Sequence, residues 1–176
     1  VLAAAPLPAH AGVPALREQI ARKTEALYAR KVNPDTEITV TSGATEALFA
    51  AIAAVVHPGD EVIVLDPCYD SYEPAIELNG GRAVHVPLDP SDFSPDWQRV
   101  RDAVTAKTRM ILVNSPHNPC GAVFTPADLD ALAAVTRERG ILVLSDEVYE
   151  HIVFDGLPHQ SVLRHAELAE RSFVVS

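Results

Sequence analysis

The chain has 176 residues, 48% of them hydrophobic, and a formal net charge of -10 at pH 7; it fits one ordinary domain of about 100–200 residues that buries about 70% of its unfolded surface. Without a Lys/Arg cluster it lacks the basic footprint of a nucleic-acid binder, although helix N-termini hold phosphates whatever the global charge. No apolar run approaches the ~20 residues of a membrane span, residues 1–6 lack the basic flank of a signal peptide, and Cys68 and Cys120 form no C-x-x-C pair, so the reading is a cytoplasmic protein without a disulfide framework or zinc site.

Between Pro14 and Lys31, the residues Leu16, Ile20, Leu27 and Tyr28 recur at helical spacing among Arg, Glu and Lys. They predict an amphipathic leading helix inside an N-terminal segment, residues 1–36. After the turn signal Asn33-Pro34-Asp35, β-branched runs alternate with helical ones. Strands are expected over 37–41, 61–66, 82–88, 109–114, 141–146 and 172–175, and helices over 45–56, 72–78, 95–104 and 126–139. The last helix is fully punctuated: Thr125 as N-cap, Pro126 at the first position, Asp128 in the first turn, Arg137 and Arg139 near the end, and Gly140 beyond it. Residues 37–176 therefore read as an α/β domain, a mostly parallel sheet with helices on both faces. The start at Val1 and the strand-like Ser172-Phe173-Val174-Val175-Ser176 are read as marks of a fragment.

Parallel strands present ligand sites at their C-terminal ends, and four such ends carry chemistry. Ser42-Gly43-Ala44-Thr45 leads from strand to helix through small residues, suited to a phosphate or to an ordinary N-cap by Ser42 or Thr45. In Asp66-Pro67-Cys68-Tyr69-Asp70-Ser71-Tyr72, an aromatic stacks on a flat ring, or else Tyr69 and Tyr72 fill space with their hydroxyls in water. Asn114-Ser115-Pro116-His117-Asn118-Pro119-Cys120-Gly121 places an amide on a turn, and is equally a plain turn signature. The run 141–144 ends in Ser145-Asp146-Glu147-Val148-Tyr149-Glu150, where Asp146 is either a ligand-pairing acid or a cap. The Walker B likeness of that run fails because Lys23, Lys31 and Lys107 have no P-loop context, and G-x-G-x-x-G and G-x-S-x-G are absent. His151, Asp155 and His159 at i, i+4, i+8 would line a helix, but Gly156 and Pro158 break it, so a surface loop and no metal are expected.

Taken in order, these four segments resemble the class I/II pyridoxal-phosphate-dependent aminotransferases, with greatest likeness to the methionine and kynurenine/glutamine branch, over about residues 12–176. The resemblance implies the partial large domain of a pyridoxal-phosphate-dependent transferase fold. It also implies that Gly43, Ala44 and Thr45 cradle the cofactor phosphate, Tyr69 stacks on the pyridine ring, Asn118 and Tyr149 hydrogen-bond the ring hydroxyl oxygen, and Asp146 pairs with the ring nitrogen. Cis peptide bonds before Pro67 and Pro119 are further implications. The activity implied is transfer of the amino group of a neutral amino acid, methionine-like or aromatic, to a 2-oxo acid, by a homodimer when full length.

Two departures stand out. Family members hold the cofactor through a Schiff-base lysine, whereas Lys23 and Lys31 are expected on the solvated side of the leading helix and Lys107 at the opposite edge of the sheet, so that lysine is expected beyond Ser176. The substrate-binding arginine is expected there too, and no catalytic residue is assigned within the chain. Members also often carry a Tyr before the Gly matching Gly12, where Leu7-Pro8-Ala9-His10-Ala11 offers none. A C–S lyase of the same fold, disfavoured by Tyr149 where His is common, and a non-catalytic amino-acid-sensing domain are the alternatives.

Overall fold

The computed structural model describes residues 11–137 and 139–176; the readings placed on residues 1–10 and on Glu138 lie outside them. The described residues form two compact units, the first running through Ala47 and the second Leu48–Ser176.

In the first unit, α1 (Pro14–Tyr28) stops earlier than the pattern predicts, because Ala29 adopts a left-handed conformation (φ 55) and donates its N–H to the Glu25 carbonyl. Its buried side is only in part the expected apolar one, Tyr28 being buried and Ile20 partly so. Leu16 and Leu27 are 47% and 39% exposed, while Arg17, Thr24 and Tyr28 are buried. The reason is the Asn33-Pro34-Asp35 turn, which folds back so that the Arg17 guanidinium donates to the Pro34 carbonyl and faces the Asp35 carboxylate at 3.4 Å. Lys31 lies past the helix and pairs with Glu25 at 3.6 Å, and Lys23 is half-buried rather than solvated.

The strand expected over 37–41 does not form. Val40 donates a backbone bond to Ala11 at 2.8 Å, and no ladder forms there among the described residues. Gly12 permits that approach: its φ is +98, and a Cβ there would lie 2.7 Å from Val40 Cβ. Helix α2 (Ala44–Val55) crosses from this unit into the next.

The second unit is a five-stranded sheet: β1 (Glu61–Asp66), β2 (Arg82–Pro87), β3 (Thr108–Asn114), β4 (Leu142–Asp146) and β5 (Ser172–Val175), in the order β2-β1-β3-β4-β5. All neighbouring pairs are parallel. The connections hold α3 (Tyr72–Leu78), α4 (Trp97–Ala103), α5 (Pro126–Arg137), a 3-10 turn at Val162–Arg164 and the short α6 (Ala166–Ala169). The observed ends differ from the predicted ones by one or two residues, the usual scatter of helix and strand termini.

Strands buried on both faces read as continuous apolar runs, as β1 and β3 do. Ile63, Leu65, Ile111, Val113 and Val143 share one core cluster with Val100 of α4 and Leu129 and Leu132 of α5. Their neighbours Val62, Val64, Met110, Leu112 and Leu144, on the other face, are equally buried. Among the described residues no helix is long and apolar enough to cross a membrane.

The strand order decides where ligands can go. From β1 the chain turns outward to β2, then back to β3 on β1's other side, so the order reverses between β1 and β3. Open α/β sheets bind ligands in the crevice outside the C-terminal ends of the strands at that reversal. The loops leaving β1, β3 and β4 carry Tyr69, Asn118 and Tyr149.

Candidate functional site

Asp146 ends β4 opposite Asn114 of β3 in the strand register, and it is 4% exposed. Its backbone carbonyl accepts the Asn114 side-chain amide at 2.8 Å and the Ser115 N–H at 3.1 Å. Asn114 Oδ1 in turn accepts the Asn118 N–H at 2.6 Å. Asn114 thus splices the Asn118 loop to the strand end that carries Asp146. The loop closes on itself through Gly121 N–H to the His117 carbonyl (2.7 Å), with Gly121 at φ +75.

The carboxylate of Asp146 has two neighbours. Tyr72 donates its hydroxyl to Oδ2 at 2.6 Å, and Val148 N–H approaches Oδ1 at 3.3 Å. Burial raises the carboxyl above its ordinary value, the Tyr72 and Val148 hydrogen bonds pull it down, and the Glu147 charge adds to the rise. Tyr72 itself, 2% exposed, is held far above the usual phenol range, first by burial and then by the Asp146 charge. Its hydroxyl is thus buried on a carboxylate, and not in water as the space-filling reading of the sequence has it. Its ring meets Tyr69 edge-to-face, centroids 5.6 Å apart, so Tyr69 and Asp146 are joined through one phenol. A polar aromatic three residues after Tyr69, at the first position of a helix, is the available signal.

Tyr149 is 38% exposed. It lines an open cleft of about 320 Å³ with His117 and Gly121 on one side and Ile152, Phe154 and Leu157 on another. His117 is buried beside Asn118. Burial depresses its imidazole below the ordinary value, and a hydrogen bond to the Leu65 backbone opposes the shift.

Behind Asp146, Glu147 is 1% exposed and accepts the Ser145 hydroxyl (2.8 Å), the Val162 N–H (3.1 Å) and His159 Nε2 (2.8 Å). The 151–159 segment is a loop, as expected, but His159 is buried in this network rather than on the surface. The network fastens the chain after the loop to the end of β4.

Gly43, Ala44 and Thr45 lie in the first unit, at the start of α2. Gly43 has φ +87, a Cβ added there would meet nothing within 4 Å, and Thr41 Oγ1 donates to its carbonyl at 2.8 Å. Glu46 reaches back to accept the Ser42 N–H. The first N–H groups of a helix have no carbonyl four residues back and carry its positive end.

Three cis peptide bonds occur among the described residues, before Pro67, Pro116 and Pro119. The first and last match expectation; the Ser115-Pro116 bond is an addition to it.

A parallel sheet with an acid, three phenols and an amide loop along the C-terminal edge, beside its topological reversal, defines an α/β ligand-binding domain. This chain belongs to the class I and II aminotransferase family, whose sequence model matches residues 5–176. It is 52% identical over 165 residues to the methionine aminotransferase of Escherichia coli, covering 94% of this chain and 43% of that one. It is 44% identical over 147 residues to the aspartate/prephenate aminotransferase of Thermus thermophilus, covering 83% and 38%. The crystal structure of the Escherichia coli protein identified with a methionine aminotransferase function superposes with a TM-score of 0.93 at 50% identity, over 95% of this chain and 44% of that one. The N-succinyldiaminopimelate aminotransferase of Mycobacterium tuberculosis gives 0.91 at 41% identity, over 95% and 44%. The chain therefore spans less than half the length of these relatives.

Proposed function

We propose that the protein is a pyridoxal-phosphate-dependent aminotransferase that moves the amino group of a neutral amino acid, methionine-like or aromatic, to a 2-oxo acid, acting as a cytoplasmic homodimer, with residues 37–176 as its cofactor-binding domain. One observation carries the reading: a carboxylate buried at the C-terminal edge of the sheet, with one oxygen held firmly by Tyr72 and the other meeting, among the described residues, a long contact from Val148. A buried carboxylate costs free energy unless it is paired. A protonated pyridine nitrogen supplies the missing partner, so the donor set fits the group.

When bound, pyridoxal phosphate supplies an electron sink for the carbanion left as an amino acid loses its α-proton. Asp146 holds the proton on the ring nitrogen, because a carboxylate in contact favours the charged form of its partner. Tyr72 keeps that carboxylate oriented through Oδ2. Tyr149 and Asn118 donate to the ring hydroxyl oxygen and stabilise negative charge there. Tyr69 would cover one face of the ring, and the resemblance assigns the phosphate to the N–H groups of Gly43, Ala44 and Thr45 at the start of α2.

Lys107 immediately precedes β3, at the end of that strand opposite Asn114. By the resemblance, the lysine that would bind the cofactor covalently and the arginine that would grip the substrate carboxylate are expected in the part of the relatives' length that this chain does not span. The name of the Escherichia coli relative supports a methionine-like donor. A ranking of kcat/KM in the intact protein, with methionine and phenylalanine above aspartate, supports the neutral-donor reading; aspartate first contradicts it.

The decisive variant is Asp146→Ala in the intact protein. Turnover is expected to fall by about a hundredfold or more while the Kd for the cofactor changes much less. Equal losses in both would count against the role.

A further inference from the structure

A second cluster of chemistry lies on the outer strand, built from side chains that the proposed reaction does not use. Asp66 ends β1 and pairs in register with Pro87 of β2. His85 is two residues before Pro87, and because side chains alternate along a strand, it lies on the same face as Asp66. Cys68 follows Asp66 by two residues. The carboxylate, thiol and imidazole donor atoms all lie within 4.8 Å of one another.

The contacts within the cluster are specific. His85 Nδ1 lies 2.8 Å from Asp66 Oδ2, while its other nitrogen, Nε2, faces Glu73 Oε1 at 3.4 Å. The Cys68 thiol is pushed up to about 12, first by burial and then by the Asp66 carboxylate beside it. An imidazole with one nitrogen turned to a carboxylate–thiol pair and the other to a second carboxylate is the arrangement in which a metal-bound histidine is held and oriented. His N, Cys S and carboxylate O together suit a borderline cation such as Zn²⁺ rather than Ca²⁺ or Mg²⁺, which take oxygen ligands. The Asp66 and His85 side chains are each about one-third exposed, at 36% and 35%, and β2 is the outer strand, so a cation has a path in from solvent.

We propose that Asp66, Cys68 and His85 bind one divalent cation of the zinc class, with Glu73 orienting His85 from behind. On binding, the Cys68 S–H bond breaks, a sulfur–metal bond forms and the thiol proton leaves to solvent, with no change of oxidation state. A water takes the fourth position of the tetrahedral site. The segment tied down is the one that leads directly into Tyr69. The proposal does not depend on the aminotransferase reading.

The test is titration of the intact protein, stripped of metal, with Co²⁺ alone and then Zn²⁺ alone. The expected result is one equivalent of Co²⁺ with a thiolate-to-cobalt absorption in the near ultraviolet, displaced by Zn²⁺. That absorption disappears in Cys68→Ser and persists in Cys120→Ser. The exposed substitution His85→Gln weakens affinity by tenfold or more, and Glu73→Gln by about tenfold, the usual effect of an outer partner. No thiolate absorption in the unaltered protein, an absorption that survives Cys68→Ser, or unchanged affinity in His85→Gln would each overturn the site.

Discussion

Tyr72 and Asp146 concentrate the chemistry of this edge into one hydrogen bond of 2.6 Å between two buried side chains. Tyr72→Phe keeps the ring and its edge-to-face contact with Tyr69 but deletes the donor. The Asp146 carboxyl, already raised by burial, then loses the bond that lowers it and rises further. In the intact enzyme the acidic limb of the pH–rate profile is expected to move to higher pH, with kcat falling about tenfold, the scale of one lost charge-assisted bond. A ring that served only as filler would leave the profile where it was. Of this pair the sequence singled out Asp146 by its place at the end of an apolar strand, where it reads as a ligand-pairing acid or as a cap. The pairing of Tyr72 was not legible, because its partner is 74 residues away and a phenol at the start of a helix does not by itself record that it turns inward. Asn114 shares that limit: it looks like the last residue of a strand, and only the β3–β4 register reveals it as the link between Asn118 and Asp146.

Among the elements, α5 shows sequence punctuation translated into structure. Thr125 and Asp128 form a reciprocal cap: Thr125 N–H donates to Asp128 Oδ2 at 2.7 Å, and Asp128 N–H approaches Thr125 Oγ1 at 3.3 Å. Asp128 also accepts the Trp97 indole N–H at 2.8 Å, tying the start of α4 to the start of α5. Thr125→Ala is expected to cost about 1 kcal/mol, the usual value of a lost cap. Asp128→Ala is expected to cost more, about 2 kcal/mol, because it also leaves the indole donor unpaired; chemical denaturation of the two variants side by side checks the order. Helix α1 is the counterexample. Its apolar spacing was readable, but the buried side was decided by the Arg17 guanidinium captured by the turn at Pro34, a tertiary event that periodicity does not encode. The run 37–41 has strand composition and no strand; among the described residues its recorded backbone link to a neighbouring segment is Val40 to Ala11.

For the molecule as a whole, alternating strands and helices made the parallel sheet legible, and the β2-β1-β3-β4-β5 order then explains why loops distant in sequence collect at one edge. The same burial leaves a pH signature. In the folded protein the His117 imidazole is depressed below its ordinary 6.5 by burial, so on acidification the unfolded chain takes up that proton first. The contribution of the neutral ring is complete above about pH 6.5 and shrinks as pH falls toward the depressed value. The difference in unfolding free energy between the unaltered protein and His117→Gln is therefore expected to narrow between pH 7.5 and roughly pH 5; a pH-independent difference would contradict the assignment. Asp146 follows the opposite sign. Its raised carboxyl means that the cofactor-free protein loses stability as pH rises past the ordinary carboxylate value of 3.8, and a cationic partner would restore it. Asp146→Asn is accordingly expected to leave the cofactor-free protein as stable as before or more so near neutral pH, while abolishing most of the turnover.

The most direct test is a crystal structure of the intact protein with pyridoxal phosphate bound. The account predicts the pyridine nitrogen within about 2.7–2.9 Å of an Asp146 carboxylate oxygen, the length of a charge-assisted bond, with Tyr72 still donating to the other oxygen and the Tyr69 ring against one face of the cofactor. A cofactor seated elsewhere, or one whose ring nitrogen faces solvent while Asp146 stays closed on Tyr72, would contradict it.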